Sequence, residues 1–236
     1  MFIQPNAIYF MKKSTDYIKY DDELFQVALL KNDEIAPGVY VLSLPRLHDF
    51  KAGQVVKIGL PEGEPPRMYS ICSGEKEDEL KILFNVKGGG WLTPRLAKLQ
   101  PGAPILISEP MGDFTGNDEP AWWVASGTGI APFYSMFKSG LGKNKTVVHG
   151  GRYLQNFYFE DEFLPELNER YIRCCSQEKG GDVYHGRLTH FLDDQDNLPK
   201  DEKFYLCGSP EMVVETRDLL IRKGIPYGNI IAEIYF

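Results

Sequence analysis

The chain is short of the residues that would build a metal centre. Its 236 residues include four cysteines, Cys72, Cys174, Cys175 and Cys207, and none belongs to a Cys-x-x-Cys pair. No spacing among them suits zinc or an iron–sulfur cluster. The four histidines, His48, His149, His185 and His190, provide no helical i, i+4 pair. A metal site is therefore not expected, and free thiols in a reducing compartment are the simplest account of the cysteines. Long apolar runs are missing as well, and nothing approaches the ~18 residues of a membrane span. The opening stretch MFIQPNAIYFMKK has no long apolar core and no small-residue cleavage site, which makes it a poor signal peptide. A soluble cytoplasmic protein with no membrane partner is the expectation. Positive charge is not in excess, the formal net charge being −7. Non-specific nucleic-acid binding needs a basic face, so no nucleic-acid partner is expected.

What is present fits a globular protein long enough for two domains. From Leu24 to Glu109 the chain reads as short strands between turn residues. Candidates are 24–30, 38–44, 54–60, 67–72, 80–85 and 104–109, with one helix over 93–99. Six short strands at this spacing suggest an antiparallel Greek-key β-barrel. After Pro120 compact apolar runs of strand length (121–126, 146–150, 171–176, 204–207, 230–234) alternate with helix-length stretches (131–139, 160–169, 187–192, 210–223). That alternation predicts an α/β domain with a five-stranded parallel sheet. Gly, Asn, Asp, Glu and Pro cluster over 115–120, so the expected domains are 1–116 and 117–236, with 1–23 a candidate N-terminal extension.

Four motifs carry chemistry. The first is Arg67-Met68-Tyr69-Ser70-Ile71-Cys72-Ser73, approached through Pro65-Pro66. Proline cannot donate to a ladder, so this strand belongs at an edge or rim. Alternation puts Arg67 and Tyr69 on one face, and Met68 and Ser70 on the other. A guanidinium suits a phosphate, and a phenol offers a stacking surface. The second is Lys87-Gly88-Gly89-Gly90-Trp91-Leu92-Thr93-Pro94-Arg95-Leu96. Its glycines let backbone amides approach a ligand, and Thr93 reads as an N-cap with Pro94 at the first helical position. The third, Ala125-Ser126-Gly127-Thr128-Gly129-Ile130-Ala131-Pro132, is a strand–turn–helix sequence close to the dinucleotide fingerprint, with Pro132 at its third glycine. The fourth is Tyr205-Leu206-Cys207-Gly208-Ser209-Pro210. Ligands of open α/β sheets bind at the carboxyl ends of strands, which predicts that Cys207 and Gly127–Gly129 share one crevice.

In this order the motifs resemble those of the ferredoxin/flavodoxin–NADP(H) reductase family of bacterial, FAD-containing type. The resemblance runs from about Phe25 to the C-terminus. It implies a flavin site of Arg67, Met68, Tyr69, Ser70, Val86, Gly89, Gly90, Leu92 and Thr93, covered by Tyr235 or Phe236 at the C-terminus. It implies a nicotinamide-dinucleotide site of Gly127, Thr128, Gly129, Arg152, Ser176, Gln177, Arg187, Cys207, Gly208 and Pro210. Ser70, Cys207 and Glu233 would stand nearest the reaction. The implied activity is electron transfer between NADP(H) and ferredoxin or flavodoxin through FAD, by a monomer. Two alternatives stay open: an NAD(P)H:flavin reductase or oxygenase reductase component, and an FAD-binding electron-transfer subunit of a larger complex. NADPH is favoured because the second strand of the later half runs into Arg152 rather than an acid. NADH stays open because Gln177 stands where bacterial members often carry an arginine.

Overall fold

The computed structural model describes residues 17–19 and 23–234. The first half builds eight strands and one helical turn: β1 Tyr17–Lys19, β2 Leu24–Ala28, β3 Lys31–Ala36, β4 Val39–Pro45, β5 Val55–Gly59, β6 Arg67–Ser70, β7 Glu79–Asn85, α1 Thr93–Leu96 and β8 Pro104–Ser108. They form one sheet in the order β1-β2-β8-β5-β6 and another in the order β3-β4-β7, all antiparallel. A bridge between Ile71 and Ile82 joins the two where β6 passes β7. The result is barrel-like, as expected, around Leu42, Val56, Ile58, Ile71, Ile82 and Ile105.

Two of these strands go beyond the six expected. Tyr17–Lys19 pairs with β2, so part of the stretch 1–23 belongs to the sheet. The sequence Lys-Asn-Asp-Glu-Ile-Ala of β3 lacks apolar alternation, yet it forms a hairpin with β4. Gly38 turns that hairpin at φ 71°, and Glu34 Oε1 accepts from its N–H at 2.8 Å. The helix expected over 93–99 is a single turn. Its C-terminal carbonyls are taken by the Asn32 side chain, which donates to Leu96 O at 3.0 Å and to Leu99 O at 3.0 Å.

The second half comprises β9 Ala121–Ser126, α2 Ala131–Met136, β10 Lys145–Gly151, α3 Glu160–Leu167, β11 Tyr171–Cys175, β12 Tyr184–His185, α4 Leu188–Asp193, β13 Lys203–Gly208, α5 Pro210–Arg222 and β14 Ile230–Ile234. The strands form a parallel sheet ordered β12-β11-β10-β9-β13-β14. The two-residue edge strand β12 makes it six-stranded rather than five. Helix α5 starts on a cap that accounts for its register: Ser209 Oγ accepts from Met212 N at 3.3 Å.

Between the halves lies a shared apolar seam. Val39, Leu83 and Phe114 from the first half pack with Trp123, Phe133, Met136 and Tyr205 from the second. Phe114 meets the Phe133 and Tyr205 rings at 5.7 and 5.6 Å between centroids. Polar contacts also cross the seam: Ser135 Oγ donates to Ser73 O at 2.6 Å in the interior, and Glu75 N donates to Ser139 Oγ at 3.0 Å nearer the surface. No helix among the described residues is long and apolar enough to cross a membrane.

Candidate active site

A cleft of about 1420 Å³ runs along the open end of this seam. Pockets for a single drug-sized ligand hold roughly 300–1,000 Å³, so the space suits two ligands end to end. One wall comes from β6 and the segment before α1. The other comes from the carboxyl ends of β9, β10, β11 and β13.

On the first wall the cleft is lined by Arg67, Met68, Tyr69, Ser70, Gly89, Gly90, Leu92 and Thr93. Strand β6 lies at the edge of its sheet, as the two prolines predict. Tyr69 is half-buried, its ring edge-on to Phe84 at 6.4 Å, and burial pushes its hydroxyl up to about 12 against the opposing pull of Arg67. Ser70 is buried, while Met68 is exposed. Arg67 sits in solvent, 3.6 Å from Glu64. Thr93 does not cap α1. It is the first helical residue, and its hydroxyl accepts from Lys87 N at 2.9 Å, closing the three-glycine loop on itself. A Cβ on Gly88 or Gly89 would meet nothing within 4 Å, so the loop borders open space. Val86 turns away from the cleft: it packs against the barrel core, and its N–H donates to Gly38 O at 2.8 Å.

The second wall is lined by Gly127, Thr128, Gly129, Arg152, Ser176, Gln177, Arg187, Cys207, Gly208 and Pro210. Residues Gly127–Ile130 form a tight 3₁₀ turn before α2. This turn rests on the end of β13, where a Cβ on Gly129 would stand 2.4 Å from Cys207 O. The expected meeting of Cys207 with Gly127–Gly129 is therefore met. Gly127 has φ 53°, and its Cβ position faces open space.

His149, not singled out from sequence, holds this turn from behind. It is fully buried on β10, with Nε2 3.3 Å from Gly127 O and Nδ1 3.0 Å from the Tyr171 hydroxyl. A carbonyl only accepts, so Nε2 carries the hydrogen and Nδ1 accepts from Tyr171. Burial lowers the imidazole to about 4, which keeps it neutral and in this tautomer.

Cys207 is fully buried, and its thiol is pushed up by burial and then by Glu233. Glu233 is its register partner on β14. It stands beside Cys207 and does not line the cleft, and its Oε1 is 4.0 Å from a Cβ position on Gly112. That same position is 3.9 Å from Val55, whose register partner is Ser70. Ser70 and Cys207 thus line one cleft, and Glu233 lies beside it, next to Gly112. Tyr235 and Phe236 lie outside the described residues.

Residues missed from sequence also line the cleft. Lys87 and Trp91 belong to the first wall, and Asn156 and Tyr158 to the second. Lys87 and Trp91 stood inside a motif read for its glycines. Asn156 and Tyr158 sit in a segment after β10 with no motif to mark it. Among the described residues no cluster of three or more His, Cys, Asp and Glu could hold a metal ion.

The lining fits FAD and a nicotinamide dinucleotide. It offers cations at both ends (Arg67 and Lys87, Arg152 and Arg187), a half-buried aromatic ring, and glycine backbone bordering open space where diphosphate oxygens need amide donors. Barrel, parallel sheet and shared cleft together define a two-domain flavin- and nicotinamide-dependent oxidoreductase. Residues 123–218 match the family model for the oxidoreductase NAD-binding domain. The flavodoxin/ferredoxin–NADP reductase of Escherichia coli (strain K12) is 31% identical over 193 residues, covering 71% of this chain and 77% of that protein. The toluate 1,2-dioxygenase electron transfer component of Pseudomonas putida is 25% identical, covering 93% of this chain and 68% of that protein. In fold, the ferredoxin NADP+ reductase from Neisseria gonorrhoeae with bound FAD and NADP superposes with a TM-score of 0.81 at 24% identity, covering 92% of this chain and 100% of that one. The chain belongs to the ferredoxin/flavodoxin–NADP reductase family, and is an FAD- and NAD(P)-dependent electron-transfer reductase.

Proposed function

We propose that this protein is a ferredoxin/flavodoxin–NADP(H) reductase, exchanging electrons between NADPH and a small one-electron carrier protein. One observation carries the reading: Ser70 on the barrel side and Cys207 on the sheet side line one continuous cleft. FAD, held by the barrel wall, would supply the hydride and single-electron chemistry, and the residues of the cleft would bind and orient it. On this reading residues 1–116 hold FAD and residues 117–236 hold the dinucleotide.

Arg67 and the Gly89 amide would bind the flavin diphosphate, while the Gly90 N–H, which donates to Lys87 O at 2.9 Å, and the Thr93 hydroxyl would keep that loop closed. Tyr69 would stack on the flavin ring. Ser70, a buried hydroxyl at the wall junction, would orient the ring and hold a proton beside it. Gly127, Thr128 and Gly129 would receive the nicotinamide half, with Gly208 and Pro210 beside them. Cys207 stays a neutral thiol, so it would size the nicotinamide site rather than attack it. Glu233 would flank Cys207 from the neighbouring strand. Arg152, Ser176, Gln177 and Arg187 would take the adenosine end. A monomer working in the cytoplasm would suffice, because one chain forms the whole cleft.

The oxygenase-reductase reading is kept for the Pseudomonas putida relative, which aligns over most of this chain. Purified protein should be yellow and should oxidise NADPH with ferredoxin or flavodoxin faster than with free flavin. A colourless protein that does not rebind FAD would refute the reading. Preference for free flavin, or for an oxygenase component, would select the alternative.

A further inference from the structure

The adenosine end of the dinucleotide wall carries little uncompensated positive charge. NADP differs from NAD by a 2′-phosphate, and fixed cations are what recognise such a group. Three side chains stand there. Arg152 follows β10 and is exposed. Gln177 follows β11 with its N–H on Arg152 O at 2.9 Å, and it brings no charge. Arg187 precedes α4, and both of its terminal nitrogens are held by Glu215 of α5, at 3.1 and 2.5 Å. The Thr189 hydroxyl also donates to Glu215 Oε1, at 3.5 Å.

This pair is half-exposed, with side-chain exposures of 50% and 42%. Exposed pairs add little to fold stability. Its effect on the cleft is larger. Arg187 lines the cleft, and Glu215 does not. The carboxylate reaches the guanidinium from the helix side and occupies one N–H on each terminal nitrogen, the geometry that would otherwise grip a phosphate. Of three expected cationic contacts, one is a glutamine and one is neutralised.

We propose that Glu215 sets the cofactor preference of this enzyme by occupying Arg187, so that NADH is accepted beside NADPH. The proposal rests on the functional reading above. Glu215 touches no nucleotide and acts only through Arg187, as a positioning residue.

The test uses FAD-loaded protein and calorimetric titration with NADP+, NAD+ and 2′,5′-ADP. Glu215→Gln should tighten NADP+ and 2′,5′-ADP by about fivefold relative to NAD+, since a charge-assisted contact is released to the phosphate. The gain should fall in high salt. It should appear in KM for NADPH rather than in kcat. Glu215→Asp, which keeps the charge, should keep wild-type selectivity. Arg187→Ala should cost more NADP+ affinity in the Glu215→Gln background than in wild type. Unchanged or weaker NADP+ binding in Glu215→Gln would overturn the proposal alone, because it would make Glu215 a mere support for Arg187. An equal gain for NAD+ would overturn it too. Wild-type protein that binds neither nucleotide would overturn the functional reading along with it.

Discussion

Gly129→Ala tests how closely the two strand ends of the dinucleotide wall are built together. A methyl at this position would lie 2.4 Å from Cys207 O, and 2.6 Å from both Cys207 C and Gly208 Cα. All three are backbone atoms, so no side chain can swing aside. Carbon contacts settle near 3.5–4.0 Å, so the turn must retreat by about 1 Å. Gly129 shows no left-handed φ, so the cost comes from approach alone. Overpacking of this kind costs about 1–3 kcal/mol, and a backbone-on-backbone clash belongs at the upper end. For a chain of this size about 3 kcal/mol lowers Tm by about 6–12 °C. A displacement of about 1 Å at a positioning element costs on the order of 100-fold in rate. The assay is thermal unfolding together with steady-state NADPH oxidation by an artificial acceptor, with bound FAD measured alongside. FAD content should hold, because the barrel wall is untouched. Gly127→Ala is the comparison: its Cβ meets nothing within 4 Å, but φ 53° costs about 1–2 kcal/mol. A Gly129→Ala protein that melts and turns over like wild type would refute the argument, as would one less affected than Gly127→Ala.

Other outcomes follow from the same geometry. Ser70→Ala should retain FAD and slow hydride transfer by about tenfold in single turnover, the cost of one hydrogen bond made in the transition state; an unchanged rate would remove Ser70 from the reaction. Gln177→Arg should raise the NADPH-to-NADH ratio of kcat/KM by about tenfold through one more charged contact, and a fixed ratio would discard the adenosine-end assignment. His149 should make the protein acid-sensitive. Its folded value, about 4, lies below the unfolded value near 6.5, so its contribution is complete above pH 6.5 and is lost as pH falls toward 4. The loss should reach about 3 kcal/mol, and His149→Gln should flatten that part of the stability profile; an unaltered slope in the variant would assign the acid sensitivity elsewhere.

The parts of the site legible in sequence are those built from backbone. Gly127–Gly129 and Cys207-Gly208 announce themselves because the chain must turn sharply and pass close to its neighbour, which restricts residue type locally. The β6 edge is readable for a similar reason, because two prolines at its entry cannot donate to a ladder. Side-chain partnerships between distant segments were not readable. Nothing at Asn32 indicates that its amide will close α1, yet that contact helps limit the helix to one turn. The Thr93 hydroxyl looks like a cap, but Lys87 N takes it instead. Arg187 reads as a phosphate ligand until Glu215, 28 residues later, is folded against it. Strand β3 is not legible in sequence because its pairing comes from the Gly38 turn, while its sequence is that of a charged loop. His149 carries no motif, and its role appears only once β10 lies beside β9.

The seam between the halves bears on how such chains can be recombined. Phe114 sits just before the crossing to β9, and its ring lies against Phe133 and Tyr205. Gly53 is bound into the same junction: a Cβ there would stand 2.0 Å from Phe114 O and 2.5 Å from Met136 Cε. Each half is thus moulded to this particular partner. A hybrid that took its flavin half from one relative and its nicotinamide half from another, joined in the 109–120 connection, would inherit two faces shaped for different mates. Such hybrids should express poorly unless Gly53, Phe114, Phe133, Met136 and Tyr205 travel together. Recombination within the family would then exchange whole reductases more readily than half-molecules, and cofactor preference would change by substitution at the cleft mouth, far from the seam.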